Sequence, residues 1–291
     1  MYSSILINVK DEHRYLPEWI EHHLNLGFDH IYVVEDFNSS SHRELIDKYI
    51  QTKTLSLHRM EDFGILDEQK NYTPWRQVWM YNRFFTSGLV QPHKDEWCVF
   101  LDTDEFLMFK DGYTLNNWIS DLETKARETG DWFSYIVLRN FNASGHIYAP
   151  NVPTVQAYKQ WEYRDNDMLC KSVVNVSRPY KFFCIQRAMR YEQTQPSKPH
   201  AQELDTGNVW INHYFTKSWE DWLIRMRRGS QDPNLRKLEQ FFDIYNKDMM
   251  RYKSLLIDSF YMCQDEWMQG GTEFIPQEIA PCIDVLKSSL P

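Results

Sequence analysis

Three acids interrupt an apolar run. The stretch CVFLDTDEFLMF, residues 98–109, sets Asp102, Thr103, Asp104 and Glu105 between two hydrophobic segments. In extended backbone, residues i and i+2 point the same way, so Asp102 and Asp104 are expected to converge on one point. Two carboxylates there call for a cation or a positive ligand. Mg²⁺ or Mn²⁺ prefers oxygen ligands and leaves positions open for phosphate oxygens. Such an ion could stabilise a departing nucleoside diphosphate as a Lewis acid. One competing reading is a solvated turn after an edge strand. Another is a phosphatase whose Asp-x-Asp supplies a nucleophile; that motif sits near the start of its domain and does not continue with Glu105-Phe106.

His213, in NVWINHYF, shares a strand face with Val209, Ile211 and Phe215, so it reads either as a core imidazole or as a further ligand. Lys217, Arg225 and Arg228 follow closely. The two arginines are three apart, which can present both guanidinium groups from one helical face to a diphosphate, or simply to solvent.

Positioning these groups needs a sheet. Residues 3–9, 30–36 and 54–60 read as strands, separated by helical patterns over 15–27 and 42–51, with Ser40 or Ser41 as a candidate cap. A further helix over 73–88 carries Trp75, Val78, Trp79, Asn82 and Phe85 on one face, and then comes the acidic strand. This alternation predicts a mostly parallel α/β sheet with helices on both faces, and such sheets bind ligands beyond the carboxyl ends of their strands. Strands are expected at 132–141 and 171–177, and one long strand at 180–191. Residues 192–207 read as a loop, while 218–229 and 234–260 read as helices.

The formal net charge of −9 argues against nucleic acid as partner. The five cysteines contain no CxxC pair and read as free thiols. No apolar run is long enough for a spanning helix, so a cytoplasmic chain without an integral membrane segment is expected.

Five ordered blocks resemble glycosyltransferases of the family 2-like and family 92-like group. They are VKDEHRYLPEWIEHHLNLGFDHIYVVEDFNSS, WCVFLDTDEFL, NFNASGH, KSVVN and NHYFTKSWEDWLIRMRRG. Two positions depart from that pattern: Asn142 stands where Gly is usual, and Val176 where Pro is usual. The resemblance implies a GT-A, Rossmann-like fold over residues 1–230, with a nucleotide-binding half to about 110 and an acceptor half from 111 to 230. Residues 231–291 would form a C-terminal helical layer. It implies transfer of a sugar from a nucleotide-sugar, most often a UDP-sugar, to a saccharide or lipid-linked acceptor, with Mn²⁺ or Mg²⁺. Work at the inner face of a membrane would follow from the same analogy. Asp102, Asp104 and His213 would hold the metal. Lys10, Glu12, Asp36 and Asn82 would lie around the nucleotide, with Asp102 near the ribose and Lys171, Lys217 and Arg228 toward the diphosphate. Inversion at the sugar would need a carboxylate base, for which Glu162, Asp165 and Asp167 are candidates. The alternatives are a phosphatase or nucleotide-sugar hydrolase, or a catalytically silent nucleotide- or carbohydrate-binding protein.

Overall fold

A computed structural model describes residues 1–37, 39–65, 75–141, 143–162, 170–193, 207–215 and 217–228. The chain opens with β1 (Ser3–Val9), α1 (Leu16–Asn25), β2 (His30–Glu35), α2 (Arg43–Gln51) and β3 (Leu55–Arg59). A 3-10 turn (Met60–Phe63) leads on to α3 (Trp75–Arg83), β4 (Trp97–Leu101), β5 (Glu105–Phe109), α4 (Leu115–Thr129) and β6 (Phe133–Phe141). Then follow the short α5 (Thr154–Ala157), β7 (Trp161–Glu162), β8 (Cys170–Asn175), β9 (Lys181–Cys184), β10 (Arg187–Met189), β11 (Val209–His213) and α6 (Trp219–Arg228).

The sheet order is β3-β2-β1-β4-β8-β6-β11-β5, with β7 added to β6. Strands β3, β2, β1 and β4 are parallel, each crossover being made by a helix. Strand β8 turns the sheet antiparallel, pairing with β4 on one side and β6 on the other. The sheet is therefore mixed, with its parallel half at the N-terminal end of the chain. Alternate residues explain why both faces are dry. Leu6, Tyr32, Val34, Cys98 and Phe100 join Val78 and Tyr81 of α3, and Phe84 just after it, in one core. Ile5, Ile7, Ile31, Val33, Val99 and Leu101 point the other way and are equally buried.

Helix α1 carries Pro17 in its first turn, and Gly27, at φ 100°, follows its last turn. Its apolar face bears Leu16, Trp19, Ile20 and His23. Three neighbours on that face grip strand β5 by its backbone. Trp19 Nε1–H donates to the Glu105 carbonyl at 2.7 Å, His22 Nε2–H donates to the Leu107 carbonyl at 2.8 Å, and the Leu107 N–H donates to His23 Nε2 at 3.2 Å. His23 Nδ1–H donates in turn to the Trp19 carbonyl. One helix turn thus serves three main-chain groups of a strand.

The chain divides into two compact units. The first is Met1–Leu138 with Asp165–Asn212; the second is Arg139–Arg164 with His213–Pro291. The second unit holds the β6–β7 pairing (Asn140 with Glu162, Phe141 with Trp161) and helix α6. Ser218 and Asp221 cap α6 reciprocally, and Glu220 ties its start to Ile147 and Ala149.

Two elements differ from the sequence expectation. Residues 180–191 form not one strand but the ribbon β9–β10, its register shifting between Arg187 and Ala188. Helix α4 was not anticipated. The expected helix over 234–260, and the layer over 231–291 to which it belongs, lie outside the described residues, as does most of the 192–207 loop. Among the described residues no helix is long and apolar enough to cross a membrane, and nothing there supports the expected contact with a membrane's inner face.

Candidate active site

The acids sit where β4 ends, but the backbone there turns. The Glu105 N–H donates to the Asp102 carbonyl at 3.1 Å, and the Asp102 N–H donates to Glu105 Oε2 at 2.9 Å. The extended geometry expected for Asp102 and Asp104 is therefore replaced by a reciprocal turn, which Glu105 closes. Thr103, Asp104 and Glu105 are all buried, Glu105 at 1% exposure.

Lys171 supplies the balancing charge. The β4–β8 register pairs Val99 with Val173, and two steps further along the ladder Lys171 comes level with the end of β4. Its Nζ donates to Asp102 Oδ2 at 2.6 Å and lies 3.3 Å from Glu105 Oε2. Gln77 of α3 holds the other oxygen, Asp102 Oδ1, at 2.9 Å and also reaches the Tyr81 hydroxyl. Burial pushes the Glu105 carboxyl well up. The Lys171 charge opposes this, while Asp102 and Asp104 add to it. For Lys171, burial pulls the ammonium down, but the charges of Asp102 and Glu105 outweigh it and hold it well above the ordinary value. Lys171, expected beside a diphosphate, is thus turned to the acids.

At the ends of β1 and β2 lie Lys10, Glu12 and Asp36. Asp36 is 3% exposed; Arg76 donates to it at 2.8 Å, and the Phe37 N–H does so at 2.7 Å. Burial raises the Asp36 carboxyl against the pull of Arg76 and Lys10. The Glu12 N–H donates to His42 Nε2, and His42 Nδ1 is held by Glu35, so this loop is pinned through a buried imidazole. Asn82 serves packing: its amide joins the Val78 and Phe182 carbonyls and the Phe182 N–H.

In the second unit, His213 Nδ1–H donates to Asn140 Oδ1 at 2.9 Å. An imidazole held in that tautomer keeps Nε2 as its lone-pair nitrogen, the state a metal ligand needs. Lys217, at φ 53°, is buried. Arg225 donates to the Phe215 carbonyl and lies over the Phe215 ring, 4.1 Å from its centroid. Arg228 ends α6, and its side chain is outside the described set. So are the Glu162 side chain and the whole of Asp165 and Asp167.

Asp104 and Glu105 of the first unit and His213 of the second are each buried, and each carries an atom of the kind a divalent cation takes, oxygen from the acids and nitrogen from the imidazole. Glu105, Gln77 and Asn140 escaped the sequence reading. Glu105 was visible in the acidic stretch as a third acid, whereas no pattern points to the two amides.

The crystal structure of S. aureus TarS 1-349 is 14% identical over 53% of this chain and 39% of that one, with a TM-score of 0.30. Its complex with UDP gives 14%, 51%, 39% and 0.33. HddC from Yersinia pseudotuberculosis gives 7% identity over 74% of this chain and 90% of that one, at 0.29. This chain therefore spans well under half the length of the TarS chains. No protein of curated function matches it at a significant level. Residues 6–251 match the model of glycosyltransferase family 92. A match over so much of the sequence settles membership, independently of the partial structural likenesses: the chain belongs to glycosyltransferase family 92.

Proposed function

We propose that this chain is a metal-dependent glycosyltransferase of GT-A type. It would move a hexose from a nucleotide-sugar, with UDP as the carrier, to a saccharide or lipid-linked saccharide, with inversion, in the building of a polysaccharide. Family membership supports sugar transfer. The observation that carries the donor site is the buried acidic turn at the end of parallel strand β4, where open α/β sheets bind ligands.

In this reading Asp104 and His213 hold Mn²⁺ or Mg²⁺, with Glu105 completing the donor set and Asp102 at the junction of metal and ribose. The bound ion supplies charge neutralisation for a diphosphate leaving group. Lys171 and Gln77 fix the Asp102 carboxylate, one on each oxygen. Asn140 fixes the His213 tautomer. Lys10, Glu12 and Asp36 flank the nucleotide, with Asn82 behind them in the core, while Lys217 and Arg228 serve the diphosphate. A carboxylate among Glu162, Asp165 and Asp167 takes the acceptor hydroxyl proton. The domain reading stands with it: residues 1–230 as the catalytic domain and 231–291 as an extension packed upon it.

The test is a thermal-shift panel of UDP, GDP, CMP and UDP-sugars, with and without Mn²⁺. Ligands that bind only the folded state raise the melting temperature by mass action. A Mn²⁺-dependent shift with UDP, lost in Asp104→Asn, is expected. Absence of a shift with every nucleotide would overturn the donor site.

A further inference from the structure

A second polar groove lies near the opposite end of strand β5 from the acids. Helix α4 forms one wall, presenting Trp118, Asp121 and Lys125 along one face, and the floor is made by β6 and the start of β11. Tyr113, Tyr135 and Asn208 complete it, and its volume is ≈ 170 Å³. The Lys110 N–H, just after β5, donates to the Asn208 carbonyl at 2.9 Å. Five strand steps, about 17 Å, separate Lys110 from Glu105. This groove is not part of the acidic site.

Its chemistry narrows the ligand. One carboxylate and one ammonium among the lining residues cancel, so a phosphate or sulfate gains no net attraction. A single carboxylate does not make a metal site. A purely apolar ligand would gain nothing from Asp121, Lys125 and Asn208. What remains is a neutral molecule with an apolar face and a rim of hydroxyls, for which aromatic rings and a few fixed polar groups are the matching surface. The surface is also held in place. Phe109 contacts both Trp118 (5.8 Å between centroids) and Tyr113 (6.3 Å), the Tyr113 hydroxyl donates to Asp121, and the Tyr135 hydroxyl donates to the Ala188 carbonyl at 2.7 Å. Groups fixed before binding lose little freedom on binding.

We propose that the groove between α4, β6 and β11 binds one pyranose unit of a glycan, away from the acidic turn. Its role as an anchor for an extended acceptor rests on the transferase reading; saccharide binding itself does not. The groove is sized for a single ring, and Asp121 and Lys125 stand at its open edge, where ring hydroxyls would face.

The experiment uses the full chain labelled with 5-fluorotryptophan, the ¹⁹F signal of Trp118 being assigned by its loss in Trp118→Phe. The probes are methyl β-glucopyranoside, galactose, N-acetylglucosamine, cellotetraose and chitotetraose, added without nucleotide or metal. At least one is expected to move the Trp118 signal. Asp121→Ala and Lys125→Ala, both at exposed positions, should each require tenfold or more sugar for the same movement, while Asp104→Asn should require no more than wild type. A Trp118 signal that no probe moves overturns the proposal, as does equal movement in the Asp121 and Lys125 variants. Sugar binding without a nucleotide response in the thermal-shift panel supports the groove and removes the donor site. A nucleotide response without sugar binding removes the groove alone.

Discussion

Lys171 is the residue on which the acidic turn depends. It is 2% exposed and faces two carboxylates, and removing one partner of a buried charge cluster costs about 3–5 kcal/mol because the charge left behind is uncompensated. Lys171→Met should therefore lower the unfolding free energy by about that amount, measured by urea denaturation. Glu105→Gln should cost much less, since burial already favours the neutral form of that carboxyl. The acids themselves were legible in the sequence because they break an apolar run. Their partner was not: Lys171 lies 69 positions from Asp102, and only the antiparallel turn of the sheet at β8 brings them together. Family resemblance marked Lys171 as important without saying what it touches.

At the scale of elements, α4 shows how a helix can be missed although its signals are present. Thr114 forms a capping box with Asn117, Leu115, Trp118, Ile119, Leu122 and Ala126 recur at helical spacing, and Gly130 ends the helix at φ 76°. The signals fall between the apolar segments at 106–109 and 132–141, which drew the strand reading. Thr114→Ala should cost about 1 kcal/mol, as for other lost N-caps, and hydrogen exchange should quicken in the first turn of α4 before it does elsewhere. The β9–β10 ribbon failed for the opposite reason. Ile185–Gln186 turn the chain without glycine or proline, so nothing in the residue types announces a break. The parallel strands were easily read, because burial on both faces makes them continuous apolar runs.

For the molecule as a whole, the first unit stores several neutral imidazoles. His23 is held well below its ordinary value of 6.5, first by burial and then by the neighbouring His22. Burial also lowers His22, His30, His42 and His58. A folded-state value below the unfolded one means that the unfolded chain takes up protons first as the pH falls. The stability these groups contribute is complete above about pH 6.5 and is lost as the pH drops from there through their folded values. These groups pull the melting temperature down between pH 7.5 and 5.5, while the raised carboxyls of Glu105, Asp36 and Glu96 act in the opposite sense, and His23→Gln should remove part of the downward pull whatever it does to the melting temperature at pH 7.5. Composition does not show this: the sequence holds ten histidines, and it is burial in the folded chain that lowers these five.

The grip of α1 on β5 also bears on how copies of the chain treat one another. Strand β5 ends the sheet order, and a terminal strand offers open N–H and C=O groups to any passing chain. Here the indole of Trp19 and the imidazoles of His22 and His23 already occupy three of those groups, so this edge of the sheet is blocked by side chains and not by a further strand. The closure is acid-labile, because a protonated His23 can no longer accept the Leu107 N–H. Mild acid should unmask the strand and start aggregation that light scattering detects. Trp19→Phe with His22→Ala should aggregate already at neutral pH while the isolated monomer keeps its far-ultraviolet circular dichroism.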